Sequence, residues 1–203
     1  MDTLKYIIDK FKIDATKESP FHIRCDRFNG IPNLFKELGF KCGAEIGVFE
    51  GTYSLCLLKG VAGLKLYGID LWQPYEGYLD SNNTRVVDAY QKALENIKGY
   101  DCELIKGWSS EVSKQFENES LDFVFIDGNH AYEYVVEDLA SWSPKVRTGG
   151  IIYGHDFDDY AKSHKWKKMG VINAVTGWVK SYKIHPLFVL EGDRNRSWMY
   201  VKQ

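Results

Sequence analysis

Acidic and imidazole side chains mark the ends of several short apolar runs in this sequence, where strands are predicted to end. Asp70, Asp127 and the pair His155-Asp156 lie at such ends, and His130 follows Asp127 by three residues. An ionised carboxylate at the end of a buried strand is unfavourable unless it is paired or binds a ligand. Imidazole titrates near neutral pH and suits general-base catalysis, whereas carboxylate oxygens suit divalent cations. These residue types therefore indicate proton transfer or metal-assisted chemistry at the strand ends.

The stretch from Ala44 to Gly51 has the pattern of a strand, a tight turn and the start of a helix. Its glycines, Gly47 and Gly51, have no Cβ, so the backbone can take positive φ and a ligand can approach closely. The dinucleotide fingerprint Gly-x-Gly-x-x-Gly is absent. Glu45 at the strand end suits a cationic or amine-bearing ligand better than a pyrophosphate. The stretch therefore predicts that a nucleotide-like ligand meets a glycine turn, and it disfavours a pyrophosphate there.

Strands and amphipathic helices alternate along the chain, which predicts an α/β fold. In such folds ligands bind outside the carboxyl ends of the strands, so the side chains named above are expected to meet. The turn at 192–195 joins the last two strands into a hairpin, which requires one strand to run antiparallel. The predicted strands are 43–48, 64–71, 102–107, 121–128, 151–154, 185–191 and 197–202.

Composition and charge narrow the class of protein. A chain of 203 residues fits one domain, and we expect a single domain over 1–203, with an N-terminal helix and irregular extension at 1–29 and a core at 30–203. The formal net charge of −2 gives no electrostatic footprint for nucleic acid. The amino terminus lacks a signal-peptide pattern and the apolar runs are too short to span a bilayer. We therefore expect no nucleic-acid or membrane partner and a cytoplasmic location.

Taken together, the motifs resemble the class I S-adenosylmethionine-dependent methyltransferases. The resemblance lies in Glu45-x-Gly-x-x-x-Gly51, in Asp70 and in the block from Ile126 to Tyr132, and it covers residues 30–202. The segment from Asp127 to Asp156 is similar to the small-molecule O-methyltransferase branch, which includes metal-dependent sugar and macrolide enzymes and, more distantly, catechol-type enzymes. The implied fold is a Rossmann-like three-layer sandwich, with a mostly parallel seven-stranded sheet and an antiparallel C-terminal strand.

The resemblance also implies how the cofactor is bound. Asp70 would accept hydrogen bonds from both ribose hydroxyls, which an ionised carboxylate can do through its two oxygens. Trp108 would place a flat indole beside the adenine. Glu45 and Gly47 would flank the methionine portion. The residues implied to bind S-adenosyl-L-methionine are Glu45, Gly47, Gly51, Asp70, Trp108, Ser109 and Asp127.

A divalent metal and a general base are implied next to the cofactor. Asp127 would bind a cation or act as a base, and Asp156 would be the second carboxylate ligand. Many metal-dependent relatives have two acids after the fifth strand, whereas this chain has His155 before Asp156, which admits Mn²⁺ or another transition ion beside Mg²⁺. His130 and His155 are either general bases or orient the two carboxylates. The implied catalytic residues are Asp127, His130 and His155, and the implied metal ligands are Asp127, His155 and Asp156.

The expected reaction is the transfer of a methyl group to a hydroxyl of a small molecule such as a sugar or natural product (EC 2.1.1.-). The alternatives are an NAD(P)-dependent oxidoreductase, disfavoured by the missing fingerprint and the terminal hairpin, and a non-catalytic cofactor-binding protein, disfavoured by Asp127 and Asp156. The loops 72–83 and 158–169 would shape the acceptor pocket, and they lie outside the motifs. Residues 16–27 either wrap over the cleft or make an intersubunit contact, which leaves a homodimer open.

Overall fold

A twisted sheet of eight strands forms the centre of the molecule. The computed structural model describes residues 2–75, 83–159 and 169–203. In that part of the chain the strand order is β1-β7-β8-β6-β5-β2-β3-β4, and β8 runs antiparallel to its neighbours β6 and β7 while the other pairs are parallel. The strands are β1 Phe21–Arg24, β2 Cys42–Ile46, β3 Lys65–Asp70, β4 Cys102–Lys106, β5 Leu121–Ile126, β6 Val146–Gly154, β7 Phe188–Glu191 and β8 Ser197–Val201.

Helices cover both faces of the sheet, which gives three layers. Along β5, Phe123 and Phe125 pack toward α1, α2 and α3, whereas Val124 and Ile126 pack toward α5, α6 and α7. This alternation is the two-residue period expected of a strand buried on both faces. The helices are α1 Thr3–Phe11, α2 Gly30–Leu38, α3 Thr52–Gly60, α4 Asn83–Asn96, α5 Ser109–Val112, α6 Tyr132–Trp142 and α7 Val171–Ser181.

The predicted architecture is confirmed, including the antiparallel strand of the terminal hairpin. The strand count differs by one, because the extension predicted to be irregular contains β1, which pairs in parallel with β7. This strand alternates weakly and is preceded by Pro20, so its local pattern is poor. Pairing with the edge of β7 supplies the backbone hydrogen bonds that make it a strand, for example from Phe21 N to Leu187 O at 2.8 Å.

The neighbouring strands β3, β2, β5 and β6 end together at one edge of the sheet. One more backbone hydrogen bond joins neighbouring strands beyond their last paired residues. Gly47 N donates to Ile69 O at 2.8 Å, and Asp127 N donates to Ile46 O at 2.8 Å. The residues that follow these strands are therefore held in register with one another. Of the predicted loops, 76–82 and 160–168 lie outside the described residues. Within the described part of the chain, no helix combines the length and apolar character needed to cross a membrane.

Candidate active site

A cavity opens at the carboxyl ends of β2, β3, β4 and β5, where the sequence placed the ligand. Five of the predicted site residues line it: Gly47, Asp70, Trp108, Ser109 and Asp127. The strand order changes direction between β2 and β5, and ligands of open α/β sheets bind at such a point. Further lining residues that the sequence did not single out as site residues include Tyr75, Asn129, Tyr134 and Asp138.

The glycine turn after β2 packs directly against the end of β5. Gly47 has φ +88°, and a Cβ there would lie 2.2 Å from the carbonyl oxygen of Asp127. Any side chain at this position would therefore clash with backbone. Gly51 has φ +74° and precedes the first turn of α3, so its role is to shape the turn rather than to line the cavity. The turn and Asp127 thus form one continuous wall.

Asp70 holds two strained backbone positions in place. Its Oδ2 accepts a hydrogen bond from Phe49 N and its Oδ1 accepts one from Trp72 N, both at 2.9 Å. Phe49 and Trp72 have φ of 51° and 44°, values that bulky residues seldom adopt. The indole of Trp72 also donates to Phe49 O at 2.8 Å. A carboxylate has about four acceptor positions, so Asp70 can bind ribose hydroxyls while it supports the turn.

Glu45 lies inside the fold rather than on the wall of the cavity. Its side chain is 1% exposed and accepts a hydrogen bond from the Ser54 hydroxyl of α3. Burial raises the pKa of Glu45 to about 8, and the Ser54 hydrogen bond offsets part of this effect. At neutral pH the side chain is mainly a neutral acid in this state, so it does not present a negative charge to a ligand. Glu45 is not among the described residues that line the cavity.

The end of the cavity next to the carboxyl end of β4 is lined by aromatic side chains. Trp108 is 43% exposed, and its ring lies nearly parallel to that of Tyr134, with an interplanar angle of 7° and centroids 6.5 Å apart. The Tyr75 ring meets Trp108 edge to face at 4.8 Å. Ser109 is the first residue of α5, whose cap position is Trp108, and its hydroxyl accepts from Trp142 Nε1 at 2.7 Å. This end of the cavity can hold a flat ring.

Two carboxylates and an imidazole converge beside the glycine turn. His130 Nε2 lies 3.2 Å from Asp127 Oδ1 and 3.1 Å from Asp156 Oδ2. One ligand atom from each of these three residues lies within 4.8 Å of the others, which is compatible with a shared metal ion. His155 lies next to them, with Nδ1 3.4 Å from Asp156 Oδ2 and 3.8 Å from Asp127 Oδ1. The cluster brings His130 between the two predicted carboxylates, and His155 is at its margin.

Asp156 is fixed by the turn of the terminal hairpin. Asn195 Nδ2 donates to Asp156 Oδ1 at 2.8 Å, and Asp156 has φ 55°. Its other oxygen therefore faces His130. A residue 39 positions away along the chain sets this orientation, so no local sequence pattern pointed to Asn195.

Arg27 reaches the cluster from the segment between β1 and α2. Its Nη1 donates to Asp127 Oδ2 at 3.2 Å, and its backbone N donates to Asp193 at 2.8 Å. The guanidinium lies 5.0 Å from the Phe28 ring centroid and 5.5 Å from that of Tyr53, and its buried Nε has no hydrogen-bond partner among the described residues. Sequence analysis missed Arg27. The sequence indicated only that residues 16–27 wrap over the cleft or make an intersubunit contact, and this expectation did not single out the Arg27 side chain.

Comparisons with known proteins match this part of the chain to a family. A family model described as a methyltransferase domain matches residues 44–157, which include the glycine turn, Asp70 and the cluster around His130. The chain is 26% identical over 175 residues to an uncharacterised protein of Acanthamoeba polyphaga mimivirus, and the alignment covers 82% of this chain and 72% of that protein.

Two solved structures illustrate the likeness of fold. An O-methyltransferase from Bacillus cereus in complex with S-adenosylhomocysteine has a TM-score of 0.64 at 16% identity, covering 100% of this chain and 91% of that chain. A protein of Staphylococcus aureus described as a caffeoyl-CoA O-methyltransferase has a TM-score of 0.64 at 16% identity, covering 84% of this chain and 80% of that chain. At such identities the similarity concerns the fold.

Proposed function

The chain belongs to the methyltransferase family whose domain model matches residues 44–157, and from this premise we propose that it transfers the methyl group of S-adenosylmethionine to a hydroxyl oxygen of a small molecule. One observation carries the proposal. The glycine turn of the cofactor cavity and Asp127 of the acid–imidazole cluster share a wall, since a Cβ on Gly47 would touch the Asp127 carbonyl at 2.2 Å. Cofactor and acceptor can therefore meet at this wall.

The cavity fits the cofactor that the family implies. S-adenosylmethionine, when bound, supplies a methyl group that its sulfonium has already activated. The chain's own residues would orient it: the Asp70 carboxylate would accept from the ribose hydroxyls, and the nearly parallel rings of Trp108 and Tyr134 would offer a surface for the base. The glycine turn lets backbone approach the methionine end, because Gly47 carries no side chain.

The cluster also fits a divalent cation. Asp127, His130 and Asp156 together offer two carboxylate oxygens and one imidazole nitrogen within 4.8 Å of one another. This mixed donor set suits Mn²⁺ or a similar transition ion better than Mg²⁺, which prefers oxygen ligands alone. Such an ion would supply charge stabilisation for the acceptor oxygen as its proton leaves.

The two histidines of the cluster are the candidates for taking up the proton of the acceptor hydroxyl. In the reaction the acceptor hydroxyl loses a proton and gains the methyl group. If His130 Nε2 ligates a cation, His155 is the nearby imidazole that can take up this proton. Without a cation, both carboxylates lie within 3.2 Å of His130 Nε2 and orient the ring, so the proton would be taken up at its other ring nitrogen, Nδ1. Arg27 holds Asp127 by Oδ2, which keeps Oδ1 directed at the cluster.

The class of the methyl acceptor and the oligomeric state are also proposals. We propose a free hydroxylated small molecule rather than nucleic acid, which the net charge of −2 supports. We also propose that residues 1–203 form a single domain, that the protein is a homodimer and that it is cytoplasmic. Light scattering on the purified protein would test the homodimer, and a mass of one chain would refute it.

The central proposal is tested by calorimetry followed by an assay. We expect S-adenosylmethionine and S-adenosylhomocysteine to bind and NADH not to bind. We further expect the protein to transfer a labelled methyl group to a member of a panel of catechols, sugars and phenolic compounds. Binding of NADH without either adenosyl compound would refute the methyltransferase proposal in favour of an oxidoreductase. Binding of the adenosyl compounds without turnover on any acceptor would favour a non-catalytic role.

A further inference from the structure

Asn129 lies between the cluster residues Asp127 and His130 in sequence, and it also lines the cofactor cavity. It is 8% exposed, so both ends of its amide need hydrogen-bond partners inside the protein. His130 is not among the described residues that line the cavity. The contacts of Asn129 therefore decide whether the wall of the cavity can act on His130.

The partners of the Asn129 amide fix the direction in which it points. The backbone N–H of Ala131 donates to Asn129 Oδ1 at 3.0 Å. A backbone N–H can only donate, so the carbonyl end of the amide must lie on this side. Asn129 Nδ2 points the other way and donates to the Tyr75 hydroxyl oxygen at 3.0 Å. One side chain thus joins a turn of the backbone to a side chain on the cavity wall.

The turn that Asn129 closes carries His130. Ala131, the donor to Asn129, is the cap residue of α6, and its carbonyl oxygen accepts hydrogen bonds from the first turn of that helix at 3.1 Å. From the other side, Gly170 N donates to His130 O at 2.8 Å. A Cβ on Gly170 would lie 2.7 Å from the Cβ of Tyr132, so the two segments are in close contact. The backbone of His130 is therefore held between Asn129 and Gly170.

The imidazole of His130 depends on this turn because its contacts are directional. Its Nε2 lies 3.2 Å from Asp127 Oδ1 and 3.1 Å from Asp156 Oδ2. A hydrogen bond weakens steeply as its angle departs from linear. A rotation of the turn would therefore change both contacts of the ring.

The ring and the hydroxyl of Tyr75 contact different parts of the site. The ring meets Trp108 edge to face with centroids 4.8 Å apart, and it lies 6.3 Å from the Tyr134 ring. The hydroxyl contacts Asn129. Phenylalanine at position 75 would keep the first set of contacts and remove the second, so the two can be separated by experiment.

We propose that Asn129 is a positioning residue, which links Tyr75 on the wall of the cofactor cavity to the turn of His130 and so holds the imidazole between Asp127 and Asp156. Asn129 acts through His130 and takes up no proton itself, because an amide does not titrate near neutral pH. This inference rests on the proposed function, since it assigns a positioning residue to the same site.

Nuclear magnetic resonance of the histidine rings, recorded on the purified full chain without added metal or cofactor, tests the inference. The His130 signals are identified by their loss in His130→Gln. We expect Tyr75→Phe and Asn129→Ala each to shift these signals. The double variant should shift them no further than Asn129→Ala alone, because both changes act through one link. The matched control is Tyr100→Phe, which removes the hydroxyl of an exposed tyrosine and should leave the His130 signals in place.

Two results of this comparison would overturn the inference. One is a Tyr75→Phe variant whose His130 signals keep their wild-type position. The other is a double variant whose shift equals the sum of the two single shifts, since Tyr75 would then act by another route. The spectra require no cofactor, so a wild type that does not bind S-adenosylhomocysteine would refute the proposed function and leave this test intact.

A second variant of Asn129 separates positioning from loss of folding. In Asn129→Asp the carboxylate can accept from both the Ala131 N–H and the Tyr75 hydroxyl, so both contacts are kept. Mn²⁺ affinity, followed by electron paramagnetic resonance, should fall at least about tenfold in Asn129→Ala. It should fall less than about threefold in Asn129→Asp. Equal losses in the two variants, or no loss in Asn129→Ala, would also overturn the inference. A wild type that binds no Mn²⁺ would contradict the metal site, and the ring signals would then decide.

Discussion

At the scale of single residues, the site depends on carboxylates that each hold a structural contact with one part of the group and face the cavity or the cluster with another. Asp70 supports the strained positions Phe49 and Trp72 and still has acceptor positions for a ligand. Asp127 accepts from Arg27 through one oxygen and faces His130 with the other. Replacing such a residue therefore removes a structural contact together with the oxygen that faces the cavity or the cluster.

Asp70→Asn tests the first of these residues. The amide nitrogen would face the backbone N–H of Phe49 or Trp72, and a hydrogen bond to a charged group is worth about 1.5–3 kcal/mol. We expect the affinity for S-adenosylhomocysteine, measured by calorimetry, to fall at least about tenfold. The control is Asp101→Asn, an exposed acid in the turn before β4. Equal affinity in the Asp70 variant and the control would remove Asp70 from the cofactor site.

His130→Gln tests the metal cluster. A ligand atom is lost, so Mn²⁺ binding followed by electron paramagnetic resonance should weaken at least about tenfold, within the range seen when groups at metal sites are removed. The affinity for S-adenosylhomocysteine should change less than about threefold, because His130 is not among the lining residues. His22→Gln is the control, since His22 is exposed on β1. A wild type that binds no Mn²⁺ would contradict the metal site and leave His130 as the base.

At the scale of elements, the segment between β1 and α2 completes the site. It reaches the cluster because β1 adds to the edge of the sheet next to β7, and the hairpin residue Asp193 binds the backbone of Arg27. The same hairpin supplies Asn195 to Asp156. The N-terminal extension and the terminal hairpin, which are far apart in sequence, therefore position both carboxylates.

Arg27→Ala tests the contribution of this segment. The substitution leaves Asp127 Oδ2 without its charged donor, so the carboxylate is free to turn away from His130. We expect kcat/KM to fall at least about tenfold, equivalent to roughly 1.4 kcal/mol, with little change in the affinity for S-adenosylhomocysteine. Arg24→Ala is the matched control, because Arg24 is exposed on β1 three residues earlier. If both variants lose activity equally, the effect belongs to the strand and not to the Arg27 side chain.

At the scale of the whole molecule, the buried acid Glu45 links folding to pH. Its pKa rises from 4.5 to about 8 on folding, chiefly because of burial. An acid whose pKa is raised in the folded state contributes stability that is fully present below its unfolded pKa and is lost as pH rises toward its folded pKa. The free energy of unfolding should therefore decrease between about pH 5 and pH 8.

Glu45→Gln should flatten that decrease, because glutamine keeps the hydrogen bond to Ser54 without a titrating group. One proton contributes at most about 1.4 kcal/mol per pH unit, so the difference in slope between wild type and variant should approach but not exceed this value. Urea unfolding at several pH values measures it. The control is Glu103→Gln, an exposed acid on β4. A Glu45 variant with the wild-type slope would show that Glu45 does not govern this pH dependence.

The sequence by itself determined the order of strands and helices from residue 30 onward, the glycine turn and the acids at the strand ends. These features are local, because each depends on neighbouring residues alone. Examples are the two-residue or helical period, the glycine with positive φ at Gly47 and the apolar run before Asp127. They were sufficient for the fold and the methyltransferase family, both of which are confirmed. They also pointed to Asp70 and Trp108 as site residues, and both line the cavity.

Only the tertiary structure decided which side chains meet. It placed Arg27 on Asp127, 100 residues away, and Asn195 on Asp156, 39 residues away. It also buried Glu45 behind the glycine turn instead of exposing it to the ligand. The physical reason is that burial and the approach of distant side chains depend on how helices and strands pack, and local periodicity contains no information about those distances.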